Sequence, residues 1–291
     1  MTTIAMEDPK VVSEAEWLPA RLALLAKEKE LTRARDAVSE ERRKLPWVKV
    51  EKNYVFETID GKKTLAELFT GRSQLIVYHF MWRHDLGAGC VGCSFLCDHI
   101  DGANQHLAQH DVTLVVASRA PLETLRAFKQ RMGWRFSWVS SVESDFNFDY
   151  HVSFRSEELA TGKVFYNYRE TQASIEELSG ISVFFKNEKG EIFHTYSSYG
   201  RGNEEVLGAY MYLDLTPLGR NERERGNLGD WVATMIATKH KATSILQAAL
   251  SPRRRRTSAA PVQTAARLEV NTSGSWGRSR QTRPGCRRRH C

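Results

Sequence analysis

The sequence predicts an α/β fold in which a mixed sheet is flanked by helices, and three observations lead there. Two short runs, Leu75 to Trp82 and Val112 to Ala117, are nearly all apolar, as strands buried on both faces should be. Amphipathic helical spacing alternates with those runs. A later pair of strands, Ile181 to Phe185 and Glu191 to Tyr196, is joined across the turn Asn187 to Gly190 and closes as a hairpin. Strand, helix, strand, helix and hairpin in that order describe an α/β sandwich.

The elements follow in chain order. From about residue 11 to 44, Trp17, Leu18, Leu22, Leu25 and Leu31 recur at helical spacing among Lys, Glu and Arg, and Pro46 ends the pattern. This amphipathic helix is expected to pack on the domain or on a second subunit as a homodimer contact. Tyr54 to Thr58 reads as a strand, Asp60-Gly61 as a turn and Thr64 to Phe69 as a short helix. After Leu75 to Trp82 comes a loop holding Gly87, Gly89 and Gly92, then a helix from Cys93 to His106. Leu122 to Met132 is an amphipathic helix stopped by Gly133, and a helix from about Glu204 to Tyr210 closes the domain. Between them Trp134, Phe136, Trp138, Phe146, Phe148 and Tyr150 read as core, with a substrate groove as the rival.

Of the 291 residues 41% are hydrophobic, enough for one domain of about 200 residues with additions at its ends. The parts are an N-terminal helical extension (1–50), the α/β domain (51–232) and a basic tail (233–291). Of 42 Lys and Arg, 13 lie beyond Val232, and of 35 acids only Glu269 does. Residues 1–232 therefore hold 29 basic and 34 acidic side chains, a net of −5. Such a domain lacks the electrostatic footprint of a nucleic-acid binder. No apolar run approaches the roughly 20 residues that span a bilayer. Met1 to Lys10 carries no secretory pattern, so a cytoplasmic location and no membrane association are expected.

Three of five cysteines sit in Cys90-Val91-Gly92-Cys93-Ser94-Phe95-Leu96-Cys97. A C-x-x-C between a buried strand and a helix reads as a redox dithiol. Amide groups at a helix start stabilise a thiolate, which makes Cys90 the nucleophile and Cys93 the resolving thiol. Cys97, four residues on from Cys93, reads as a small buried filler. A zinc site of Cys90, Cys93, Cys97 and His99 is the rival, disfavoured because structural zinc draws ligands from separated loops. No metal or cofactor is expected. His84, with Asp85, precedes the dithiol and is a candidate to tune its ionisation, against a plain solvated loop pair.

The order of elements resembles the thioredoxin superfamily, and Asp60-Gly61-Lys62, Leu65 and Val115-Val116-Ala117-Ser118 resemble its peroxiredoxin branch. More narrowly, residues 12–232 resemble the bacterial thioredoxin-like family called domain of unknown function 899. The carrying segments are Phe80-Met81, Gly89-Cys90-x-x-Cys93-Ser94-Phe95, Asp98-His99-Ile100-Asp101-Gly102, Phe128-Lys129-x-Arg131-Met132-Gly133-Trp134, and Ser182-Val183-Phe184-Phe185 leading to His194-Thr195-Tyr196-Ser197. The resemblance implies a thiol–disulfide oxidoreductase or thiol-dependent peroxidase acting on a thiol, disulfide or peroxide. For peroxidase chemistry it asks for a Ser or Thr and an Arg near the nucleophile, which makes Ser118, Arg119 and Arg201 candidates. The chain departs from thioredoxins where Ser179-Gly180 stands in place of their groove-shaping proline. A non-catalytic redox-sensing or interaction module is the alternative function. The resemblance stops after Gly229-Asp230-Trp231-Val232, where relatives continue with a short Arg-, His- and Asp-containing end. The Arg-, Ala-, Ser- and Thr-rich tail is thus read as a disordered product of a reading-frame shift, the rival being a polybasic arm.

Overall fold

The computed structural model describes residues 9–84, 87–220, 222 and 232. The expected tail at 233–291, and Asp85 beside His84, lie outside the described residues.

Helix α1 (Glu14–Arg43) starts at Ser13, whose side chain and that of Glu16 cap each other's backbone N–H groups, and it ends at Lys44, two residues before Pro46. None of its residues is buried, and Trp17, Leu18, Leu22, Leu24, Leu31 and Val38 stay exposed. The expected packing of its apolar stripe on the domain is therefore not seen. Its last turn reaches across, where Arg42 lies over the Tyr196 ring at 4.7 Å and 3.8 Å from Glu205.

Then come β1 (Val48–Lys49), β2 (Val55–Thr58), β3 (Gly61–Thr64), α2 (Leu65–Leu68), β4 (Gln74–His79), β5 (Trp82–Arg83), β6 (Ala88–Gly89), α3 (Val91–Cys97), α4 (Ile100–Gln109) and β7 (Val112–Ser118). The second half holds α5 (Leu122–Met132), β8 (Ser137–Ser140), α6 (Phe146–Asp149), α7 (Ser156–Ala160), β9 (Lys163–Tyr166), β10 (Arg169–Gln172), β11 (Gly180–Lys186), β12 (Ile192–Tyr199), a 3-10 helix (Gly200–Val206) and α8 (Gly208–Leu213).

Eight strands form one sheet in the order β1-β12-β11-β4-β7-β8-β2-β3. Parallel β4 and β7 are linked through α3 and α4, while the hairpin of β11 and β12 adds antiparallel to β4. The order β12-β11-β4-β7, with α8 following β12, is the thioredoxin-like arrangement that the resemblance implied. Alternation along the strands separates two cores. Tyr78, Val116 and Ile181 face the helices α3, α5 and α8; Val77, Val115 and Phe184 face Phe56, Leu68, Phe146 and Tyr150. Trp134, Phe136 and Trp138 fill the first core, so the dense aromatics are structural there. Phe148 is the exception, held between the guanidinium groups of Arg119 and Arg155 at 4.3 Å each.

Three elements differ from expectation. The apolar run to Trp82 is not one strand: after His79, Phe80 donates its N–H to Ala117, and Trp82 then pairs with Gly89 in the small hairpin of β5 and β6. The helix expected over Cys93 to His106 breaks at Asp98-His99. There His99 donates from Nδ1 to the Phe95 carbonyl and accepts the Ala209 N–H at Nε2, which ties the break to α8. The closing helix is a 3-10 turn followed by α8.

The close approach at the start of β11 gives a test. A Cβ at Gly180 would stand 2.8 Å from Cδ1 of Tyr199 and 3.0 Å from Cγ1 of Val152. Gly180→Ala is expected to cost about 1–3 kcal/mol in urea unfolding by overpacking, and an unchanged midpoint would contradict this packing.

Candidate active site

The dithiol sits where the chain re-enters the fold after β6. Gly89 precedes it for a steric reason: a Cβ there would stand 2.7 Å from Cζ of Phe80 and 2.8 Å from Cζ of Phe128. Cys90 is the N-cap residue of α3. Its N–H donates to the Met81 carbonyl at 3.2 Å, and its carbonyl accepts from Ser94 N–H and Ser94 Oγ, each at 2.9 Å. The backbone around the sulfur is thus held on both sides.

Cys90 is half-buried, Cys93 and Cys97 are buried, and all three are free thiols. The Cys93 thiol donates to the Cys90 sulfur, and the amides of Cys93 and Gly92 and the charge of Arg83 add to that effect. Together they outweigh burial and bring the Cys90 thiol down to about 6. Burial pushes Cys93 well above the ordinary thiol range, with the neighbouring Cys90 sulfur acting in the same direction. The Tyr78 hydroxyl and the Met81 N–H oppose that by hydrogen-bonding to its sulfur. One sulfur is therefore ionised at neutral pH, and the other keeps a proton to donate to it. Cys97, the last residue of α3, is buried in the core, and its thiol is raised by burial and by Asp98 and Asp101. His99, the remaining candidate zinc ligand, has both ring nitrogens in hydrogen bonds.

The other predicted residues are not all gathered around the sulfurs. His84 lies 3.6 Å from Glu177, at a cavity of about 260 Å³ that Trp82 and Ser174 also line. Ser118 is fully buried, donating to the Phe80 carbonyl and accepting from Trp138 Nε1. Arg119 lies on the Phe148 ring. Arg201 is exposed and bound to Glu204 at 2.9 Å. Three further residues have parts in the site that the sequence did not suggest: Tyr78, Met81 and Glu177. Glu177 is 5% exposed and accepts the Trp82 N–H at 2.8 Å, which anchors the hairpin carrying Cys90. Burial raises its carboxyl to about 7, against the pull of the Trp82 amide and Arg119. Tyr78 stands one residue from His79 inside an apolar run, and nothing local marks it.

Since the folded thiol ionises near 6, alkylation of Cys90 should rise through that pH and level off above it. By linkage the thiolate's stabilisation is complete above the unfolded thiol's pKa and is lost as pH falls through about 6. Cys93→Ala removes the thiol donor and should raise the alkylation midpoint by about 1–2 pH units. A midpoint that does not move would contradict the hydrogen bond.

Comparison with solved structures finds similar chains among proteins named as peroxiredoxins. Xanthomonas campestris peroxiredoxin Q matches with a TM-score of 0.38 and 12% identity, over 53% of this chain and 87% of that one. Peroxidoxin BcpB from Mycobacterium tuberculosis matches with a TM-score of 0.38 and 9% identity, over 56% and 94%. Likeness at this level carries no argument about activity, and the fold assignment rests on the strand order above. No curated protein matches the sequence. Among the described residues no helix is long and apolar enough to cross a membrane. The family profile described as "Bacterial protein of unknown function (DUF899)" matches residues 6–237. With its thioredoxin-like sheet and the Cys90/Cys93 pair at the start of α3, the chain belongs to that DUF899 family.

Proposed function

We propose that the protein is a thiol–disulfide oxidoreductase working through Cys90 and Cys93. The observation that carries this is the asymmetry of the pair: a half-buried sulfur low enough to be a thiolate at neutral pH, hydrogen-bonded to a buried thiol three residues on. The Cys90 thiolate attacks one sulfur of a substrate disulfide, forming a mixed disulfide and releasing the other sulfur as a thiolate. Cys93 then gives up its proton and attacks the Cys90 sulfur, expelling the second substrate thiolate and closing a Cys90–Cys93 disulfide. The Tyr78 hydroxyl and Met81 N–H are placed to steady the Cys93 thiolate as it forms. The substrate gains two electrons and the enzyme loses them, so an external dithiol must reduce the pair before the next turnover.

Ser118, whose hydroxyl is committed to Phe80 and Trp138, does not supply the hydroxyl that peroxide chemistry asks for. Arg119 lies on Phe148 and Arg201 on Glu204, and Arg83 is the cation whose charge acts on Cys90. We therefore take a disulfide as the electrophile, for want of that hydroxyl. Reduction of an aromatic disulfide with dithiothreitol as the final reductant tests the reading. Cys90→Ser should abolish turnover, whereas Cys93→Ser, mixed with the disulfide in the absence of dithiothreitol and with Cys286 and Cys291 replaced by Ser, should release one thiolate per chain and stop at the mixed disulfide. No turnover by the wild-type chain above the uncatalysed rate would favour the non-catalytic sensing module instead, and turnover undiminished in Cys90→Ser would rule out Cys90 as the nucleophile.

A further inference from the structure

The sheet carries a second polar constellation, on the face opposite the dithiol. Tyr78 points toward Cys93, and its neighbour His79 points the other way, onto Phe146 and Tyr150. His79 Nε2 lies 2.9 Å from Ser182 Oγ on β11, and Ser182 Oγ lies 2.9 Å from Ser197 Oγ on β12. Ser197 Oγ is in turn 2.7 Å from His194 Nε2. One atom sets the direction of this chain. The Tyr196 carbonyl, 3.0 Å from His194 Nε2, can only accept, so that nitrogen bears the hydrogen. Ser197 accepts from His194 and donates to Ser182, which donates to His79. Burial keeps both imidazoles below the ordinary histidine range, so His194 is neutral and its Nδ1 is a bare acceptor. Among the described residues nothing donates to that Nδ1.

The backbone is shaped to present this group. Val183 pairs with Tyr196 and Phe184 with His194, which leaves Thr195 as the extra residue of a β-bulge, its hydroxyl donating to the Val183 carbonyl at 3.1 Å. Bulges re-aim side chains next to functional sites. His194 here lines two cavities, of about 540 and 240 Å³, which share Asn167, Tyr168 and Tyr199. Asn167 at φ 51° and Tyr168 at 62° form the two-residue turn that joins β9 to β10, and that turn sets Tyr168 at the smaller cavity. Tyr168 is braced by its hydroxyl on the Ser197 carbonyl at 2.8 Å and by the Tyr199 ring at 5.5 Å. The charges at the rims are already paired, Asp149 with Lys52 and Arg201 with Glu204.

We propose that these cavities form a binding site for a small, uncharged, planar aromatic alcohol of the phenol class, its ring against Tyr168 and Tyr199 and its hydroxyl donating to His194 Nδ1. Aromatic walls, the acceptor at His194 Nδ1 and rim charges already paired favour that chemistry over an ionic ligand.

Titration of the full chain with phenol, followed by the histidine ring signals in NMR, tests the site. Saturable binding with a Kd on the order of millimolar should shift the His194 ring, as befits so small a ligand. Anisole, the same ring without a donor, should bind about tenfold more weakly or worse. His194→Phe and Tyr168→Ala should each weaken phenol binding by a similar factor, while Cys90→Ser leaves it unchanged. Tyr168 is 64% exposed, so its variant decides the matter if His194→Phe fails to fold. Absence of saturable binding, equal affinity for phenol and anisole, or variants that bind as the wild type does would overturn the proposal.

Discussion

Gly89 passes between the rings of Phe80 and Phe128 with no room for a side chain, and the arrangement of the dithiol depends on that contact. The small hairpin of β5 and β6 has only two paired positions, Trp82 with Gly89 and Arg83 with Ala88, too few to hold its own shape. It is fixed instead from outside. Glu177 takes the Trp82 amide on one strand, and the ring slot takes its partner Gly89 on the other. Met81, between β4 and the hairpin, then accepts from the Cys90 N–H and reaches the Cys93 sulfur with its own amide. The donors that separate the two thiols in acidity are thus consequences of one close packing.

Strand β4 serves both faces of the sheet. Its odd positions, Leu75, Val77 and His79, belong to the core around Phe146, and Tyr78 belongs to the core beneath α3. Adjacent residues therefore end in different chemistry, a phenol against Cys93 and an imidazole at the end of a chain of serines. The apolar faces around them keep water from competing for those hydrogen bonds.

Much of this was legible in the sequence where the signal is local. The helix at Leu122–Met132 matches its expected bounds because amphipathic spacing ends at Gly133, which takes the left-handed cap at φ 76°. Strands β4 and β7 are apolar runs, β11 and β12 are joined by clear turn residues, and Cys90 and Cys93 are marked by spacing alone. What escaped depends on contacts far along the chain. The break at His99 is made by the Ala209 amide, 110 residues away, and the strand end at His79 is hidden because Trp82 continues the apolar run. The strands β8, β9 and β10, each four residues long, have polar positions that mask their pairing. Glu177 is one acid among several until the fold buries it under Trp82. For the N-terminal helix, periodicity showed an apolar stripe and could not say that the domain leaves it uncovered.

The account turns on Cys90 and Cys93 being the reversible couple, with Cys97 sealed in the core. Peptide mapping after mild oxidation of the full chain addresses this most directly. A Cys90–Cys93 disulfide with Cys97 still reduced is the predicted result, because two intervening residues at the start of α3 bring the Cys93 thiol to act on the Cys90 sulfur, while Cys97 at the far end of α3 is buried. A dominant link from Cys97 to either partner would contradict it.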